Sequence, residues 1–195
     1  MTNKPQEAVA NIERVAVVGG GGLMGHGIVL ACLLGSPTSQ VRLVARRQET
    51  LEHGMGLLRT GPFGMQAAVR KGRLTAEAME QALARVRPTL DIAEGVYDAQ
   101  LVFETVPEVV SQKHAVLREI EAAAPADTPI ATNTSSIMIA ELGGVLEHAG
   151  RMIGTHWFYP SNVMPLVEVA CAERTEERVT ELVVQYLAGI GKQPV

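Results

Sequence analysis

The chain has 195 residues, with 17 basic and 21 acidic side chains, a net charge of −4, and 47% hydrophobic against 19% charged residues. That length and apolar content suit one ordinary domain with its own core, and exclude a disordered or collagen-like chain. No basic surplus exists to neutralise phosphates, which argues against a nucleic-acid partner.

The opening segment MTNKPQEAVANIER is polar with acids early. Residues 1–13 therefore read as a tail and not as a secretory signal. Val15 to Gly35 is long and apolar enough to suggest a membrane span, with His26 its one strongly polar residue. Glycines at positions 19, 20, 21, 22, 25, 27 and 35 oppose that, because each costs about 1 kcal/mol in a helix interior relative to alanine. A buried strand (Arg14–Val18), a tight turn and a buried helix (Ile28–Leu34) explain the run better, and no membrane partner is expected. A second strand follows at Val41–Ala45. The stretch Gln48–Arg87 shows no good strand and reads as helices broken at Gly61–Pro62 and Lys71–Gly72, with Thr75 as a fresh helix start.

Strands resume at Leu101–Thr105, Ile130–Thr132, Met152–Gly154 and Leu166–Ala170. Between them, Glu108–Ala124 places Val109, Val110, Val116, Leu117 and Ile120 on one helical stripe, ended by Pro125. Thr175 opens a last helix running to about Leu187, and Gly191–Val195 reads as a strand or the start of a linker. Short aliphatic strands alternating with helices predict an α/β, Rossmann-type doubly wound and mostly parallel sheet over residues 14–190, with ligands beyond the carboxyl ends of its strands. Cys32 and Cys171 lie far apart without metal-ligand spacing. They read as buried free thiols of a reducing, cytoplasmic compartment, and no metal site is expected.

VAVVGGGGLMGHGI fits G-x-G-x-x-G with Gly20, Gly22 and Gly25. Gly20 would make the tight turn, Gly22 admit a pyrophosphate, and Gly25 let the helix pack on the sheet, with Leu23 and Met24 between them also expected to bind the cofactor. The helix N-terminus would then offer free N–H groups to the phosphates. An acid normally ends the second strand and bonds the adenosine ribose, but VRLVARRQE offers Ala45 followed by Arg46 and Arg47. Losing that acid removes repulsion against a 2′-phosphate, and two guanidinium groups could bind one. The cofactor is therefore NAD or NADP, with NADP favoured; the alternative is two arginines opening a solvated helix.

His156 stands at a strand end, followed by Trp157 and Phe158, in a hydrophobic setting. Imidazole titrates near neutrality, which suits it to exchanging a proton with a secondary alcohol while hydride leaves. Glu168 on the next strand could orient that ring. Ser135 and Asn133 follow a strand at its carboxyl end, where a hydroxyl can meet a substrate oxygen; a plain helix-capping turn is the competing account. His26, His53, His114 and His148 read as structural or surface residues.

LVFETVPE (Leu101–Glu108), Lys113, ATNTSS (Ala131–Ser136), GTHWFYP (Gly154–Pro160) and PLVEV (Pro165–Val169) follow in that order, after the glycine turn and KGRLT (Lys71–Thr75). Together they resemble the NAD-binding domain of the 3-hydroxyacyl-CoA dehydrogenase family from about Val15 to Val195. The resemblance implies a His156–Glu168 acid/base pair, Ser135 on the substrate, and Asn133, Glu108 and Lys113 near the cofactor. It implies interconversion of 3-hydroxyacyl and 3-ketoacyl substrates, with an acyl-CoA as small-molecule partner. It also implies a following all-helical domain that carries a homodimer interface. Tyr159 departs from the family, which has asparagine there, and leaves substrate shape open. Free 3-hydroxy acids or carnitine-like substrates are alternatives, as is a non-catalytic dinucleotide-binding module.

Overall fold

A computed structural model describes residues 12–195. Of the expected tail, Ile12 and Glu13 fall within it and Ile12 is buried; the rest lies outside the described residues. The elements in chain order are β1 (Arg14–Val18), α1 (Leu23–Gly35), β2 (Gln40–Val44), α2 (Gln48–Thr60), α3 (Met65–Arg70), α4 (Ala76–Leu83), β3 (Val86–Thr89) and α5 (Ile92–Val96). They continue with β4 (Leu101–Glu104), α6 (Val110–Ala123), β5 (Ile130–Thr132), α7 (Ile139–Gly143), β6 (Met152–Trp157), β7 (Leu166–Ala170), α8 (Glu177–Gly189) and β8 (Gln193–Pro194).

The strands form one sheet ordered β3-β2-β1-β4-β5-β6-β7-β8. Every pairing from β3 to β6 is parallel; β7 turns back antiparallel to β6, and β8 pairs parallel with β7. This is the expected doubly wound α/β sheet. Both faces are covered, so β1 is apolar and buried from Val15 to Val18. Val15 and Val17 join the core beneath α1 and α8, whereas Ala16 and Val18 join the core beneath α5 and α6. α1 buries every residue from Gly25 to Leu33, which accounts for the membrane-like run in the sequence. Among the described residues no helix is long and apolar enough to cross a membrane.

The chain leaves β1 for one face and β4 for the other, and these neighbouring strands therefore open a crevice beyond their carboxyl ends. Phe103 on β4 is fully buried and meets Trp157 of β6 edge to face, ring centroids 5.6 Å apart. Burying such a ring contributes about 2–3 kcal/mol, and it ties the first half of the sheet to the strand that carries His156.

Several boundaries differ from expectation. β3, α5 and α7 were not predicted. Helix α6 begins at Val110, so Val109 is an exposed cap, and Lys113 takes the buried stripe position instead. Thr75 does cap α4, accepting from Ala78 N at 3.1 Å. α8 is capped one residue later than expected, at Glu176, because the Thr175 hydroxyl donates to Met152 O and accepts from Ala172 N. Gly191–Val195 takes the strand alternative: Gln193 N bonds Pro165 O at 2.8 Å and Val195 N bonds Val167 O at 3.1 Å.

Candidate active site

β1 leads straight into the glycine turn. The tight bend falls at Gly19, with φ +89°, and not at Gly20 as expected. Val44 O holds the bend by accepting from Gly19 N at 2.9 Å and Gly20 N at 3.0 Å. Gly20 is instead a packing position: a Cβ there would lie 2.8 Å from Leu43 Cγ. A Cβ on Gly25 would lie 2.3 Å from Gly19 O, so α1 could not seat against the turn with any larger residue. Gly22 differs, because a Cβ there would meet nothing nearer than Gly19 O at 3.3 Å. The protein leaves that space free, at the cap of α1, where the amides of Leu23, Met24 and Gly25 lack helical acceptors.

From this turn a cleft of about 830 Å³ runs along the carboxyl ends of β1, β2, β4 and β5. Gly22, Leu23 and Met24 line its middle, and Ala45, Arg46, Arg47, Thr50 and Ile92 line one end. Asn133, Thr134, Ser135 and Glu108 line the other. Arg47 caps α2, and Arg46 is mostly exposed and 3.8 Å from Glu119. Among the described lining residues Glu108 is the one carboxylate, and it stands beside Ser135, away from the arginines. A cleft of this length, with free amides and an empty cradle at Gly22, fits a dinucleotide.

Glu108 shapes the turn at the Ser135 end. Its Oε1 accepts from Thr134 Oγ1 at 2.6 Å, Ser135 N at 2.9 Å and Ser136 N at 3.2 Å. Partial burial raises its carboxyl, but these hydrogen bonds and the Lys113 ammonium 3.8 Å away outweigh burial and hold it below the ordinary carboxylate value.

Lys113 does not reach the cleft. It is fully buried and donates at 3.0 Å to both oxygens of Glu104 and at 2.9 Å to Asn133 O. Glu104, absent from the sequence-based site, also accepts from Thr132 Oγ1 and Val106 N. Burial pushes the Glu104 carboxyl up, against the pull of Lys113 and Thr132. Asn133 is held at three atoms: its N donates to Glu104 O, its O accepts from Lys113, and its Oδ1 accepts from Trp157 N.

The antiparallel β6–β7 pair sets His156 directly opposite Glu168. His156 Nδ1 lies 2.7 Å from Glu168 Oε2, and its Nε2 lies 3.1 Å from Ser135 Oγ. A carboxylate only accepts, so Nδ1 carries a proton, and in the neutral ring Nε2 accepts from the serine. The Phe158 ring packs 4.6 Å from the imidazole. The three residues read from the sequence thus form one hydrogen-bonded line that starts from the cleft at Ser135 and is half-buried at His156.

A family model described as "3-hydroxyacyl-CoA dehydrogenase, NAD binding domain" matches residues 14–195. The chain belongs to that family. Over 193 residues it is 36% identical to the fatty acid oxidation complex subunit alpha of Pseudomonas savastanoi, covering 98% of this chain and 26% of that protein. Among solved structures it resembles a 3-hydroxybutyryl-CoA dehydrogenase from Escherichia coli, with TM-score 0.87 and 34% identity over 95% of this chain and 38% of the other. An (S)-3-hydroxybutyryl-CoA dehydrogenase from Ralstonia eutropha matches with TM-score 0.88 and 29% identity over 95% of this chain and 63% of that one. The chain thus spans about a quarter of the curated relative's length.

The remaining candidates in this domain resolve simply. His26 is buried, with Nδ1 2.9 Å from Gly22 O, and His114 Nε2 meets Glu141 O at 3.2 Å. Cys32 is buried as expected, but Cys171 is exposed, with Sγ 3.3 Å from Thr180 Oγ1. Tyr159 is half exposed and packs edge to face on Phe63, centroids 5.8 Å apart. No cluster that could hold a metal ion occurs among the described residues.

Proposed function

We propose that this domain binds a nicotinamide dinucleotide in the cleft and interconverts 3-hydroxyacyl and 3-ketoacyl substrates, an acyl-CoA being the substrate class its relatives' names support. The observation that carries the reading is the Ser135–His156–Glu168 line at the Asn133 end of the cleft. Gly22, Leu23 and Met24 would hold the pyrophosphate, and Asn133 would meet the nicotinamide. When bound, the dinucleotide supplies the two-electron acceptor or donor. Ser135 Oγ would hydrogen-bond the substrate oxygen, and His156 Nε2 would take the hydroxyl proton in oxidation or return it in reduction. Glu168 keeps the ring proton on Nδ1 and stabilises the imidazolium as it forms.

The adenosine end supports NADP(H) use. Ala45 is buried where family folds place the ribose-binding acid, and Arg46 and Arg47 flank the same end of the cleft. Titration with both reduced cofactors tests the preference: NADPH should bind more tightly, and an Arg46→Ala/Arg47→Ala variant should lose that margin. Clearly tighter NADH binding by the unmodified chain would reject it. Turnover of acetoacetyl-CoA with reduced cofactor tests the reaction, and a folded, cofactor-binding His156→Ala protein with undiminished turnover would reject the role of the imidazole.

A further inference from the structure

The structure assigns Glu104 and Lys113 to a positioning role: this buried pair sets Asn133 and the Thr134–Ser136 turn against the nicotinamide end of the cleft. Lys113 is fully buried, so its ammonium cannot touch a ligand in the cleft. Its three N–H donors are all accounted for inside the protein, two on Glu104 and one on Asn133 O.

The geometry explains why a charged pair occupies this place. β4 and β5 run side by side with Glu104 in register with Thr132, and the chain must turn out of the sheet at Asn133. Asn133 N bonds Glu104 O at 2.7 Å, and Lys113 reaches up from α6 to take Asn133 O. With backbone fixed on both sides and Oδ1 engaged by Trp157 N at 3.0 Å, the Asn133 amide nitrogen is the part left to face the cleft. Two residues on, Ser135 is carried on the same turn and Glu108 clamps it from the other side. A shift of Asn133 therefore displaces Ser135 Oγ from its 3.1 Å contact with His156. An apolar pair of the same size would fill the volume without placing any of these atoms.

This inference rests on the dinucleotide reading above, and the test separates the two. Removing one charge alone strands the other in the interior, so the informative variant is the paired Glu104→Gln/Lys113→Met protein. Its folded fraction is measured by circular dichroism and thermal denaturation. Reduced-dinucleotide affinity is measured by energy transfer from Trp157, the one tryptophan in the chain, and turnover by steady-state kinetics. In the folded protein the dissociation constant and kcat should each worsen by about tenfold or more, as for a displacement near 1 Å at a reacting group. KM for the ketoacyl substrate should rise with them, since Ser135, which meets that substrate's oxygen, is carried on the same turn. In an Asn133→Ala background the paired substitution should weaken dinucleotide binding by less than about twofold, because sites acting through one another are not additive. Unchanged affinity and kcat in the folded variant, or full additivity with Asn133→Ala, would overturn the positioning role. If the unmodified protein failed to bind either reduced dinucleotide, the cofactor reading itself would fall.

Discussion

Gly22 and Gly25 offer a comparison in which one atom reports on two different constraints. An alanine at either position points its methyl at Gly19 O, at 3.3 Å from position 22 and at 2.3 Å from position 25. The Gly25 methyl would also lie 2.7 Å from Gly20 Cα and 2.8 Å from Thr105 Oγ1, so backbone must move to admit it. Overpacking of this kind costs about 1–3 kcal/mol, and the upper half of that range applies because the obstructing atoms are main chain. At about 2–4 °C per kcal/mol for a chain of this size, Gly25→Ala should lower Tm by about 4–12 °C. Gly22 has an ordinary extended backbone, φ −79° and ψ 177°, so alanine there is unstrained. It gains about 0.4–1 kcal/mol from the unfolded chain and loses about 0.5–1 kcal/mol at the cap, which leaves Tm almost unmoved. Its methyl instead fills the cradle below the phosphates, and dinucleotide affinity should fall at least about tenfold, or 1.4 kcal/mol. Differential scanning fluorimetry and cofactor titration on the two variants separate the effects. Equal destabilisation of both, or a Gly22→Ala protein binding dinucleotide like the parent, would refute the reasoning.

Glu168→Gln should preserve the fold, since that side chain is half exposed, while lowering kcat by about a hundredfold or more through loss of the tautomer and imidazolium support; dinucleotide affinity should not change. Glu108 is held below the ordinary carboxylate value, so its contribution is present above that value and disappears as pH falls through its folded-state pKa. Denaturation at a series of acidic pH values should show a loss of stability that Glu108→Gln lacks. Burial pushes the Cys32 thiol up to about 12, whereas Cys171 is exposed. Iodoacetamide should therefore modify Cys171 alone in the native protein and both thiols in denaturant, as mass spectrometry would report.

The cofactor half of the sheet was readable because both of its signals are local: branched aliphatic strands and glycines at fixed offsets. β3 escaped because VRPT carries two polar residues and Pro88, which only an edge strand tolerates. α5 and α7 are five residues each, too short for periodicity to register. His156, Glu168 and Ser135 were legible through motif order, while their contacts depend on which strands the sheet places side by side. Glu104 was missed because charge suggests solvent, and Lys113 was placed near the cofactor by resemblance alone. Yet Lys113 precedes Val116, Leu117 and Ile120 by three, four and seven residues, the spacing of a buried helical stripe. A lysine on that stripe signals a partner waiting in the core.

His156 and Glu168 occupy facing rungs of an antiparallel ladder, joined by a connection that bends back through Ser161 and Met164. A slip of one rung would set Val167 or Val169 opposite the imidazole and turn the carboxylate to the far side of the sheet. The His156–Glu168 contact is therefore an all-or-none property of strand alignment, and the connecting segment can vary in shape without detuning it.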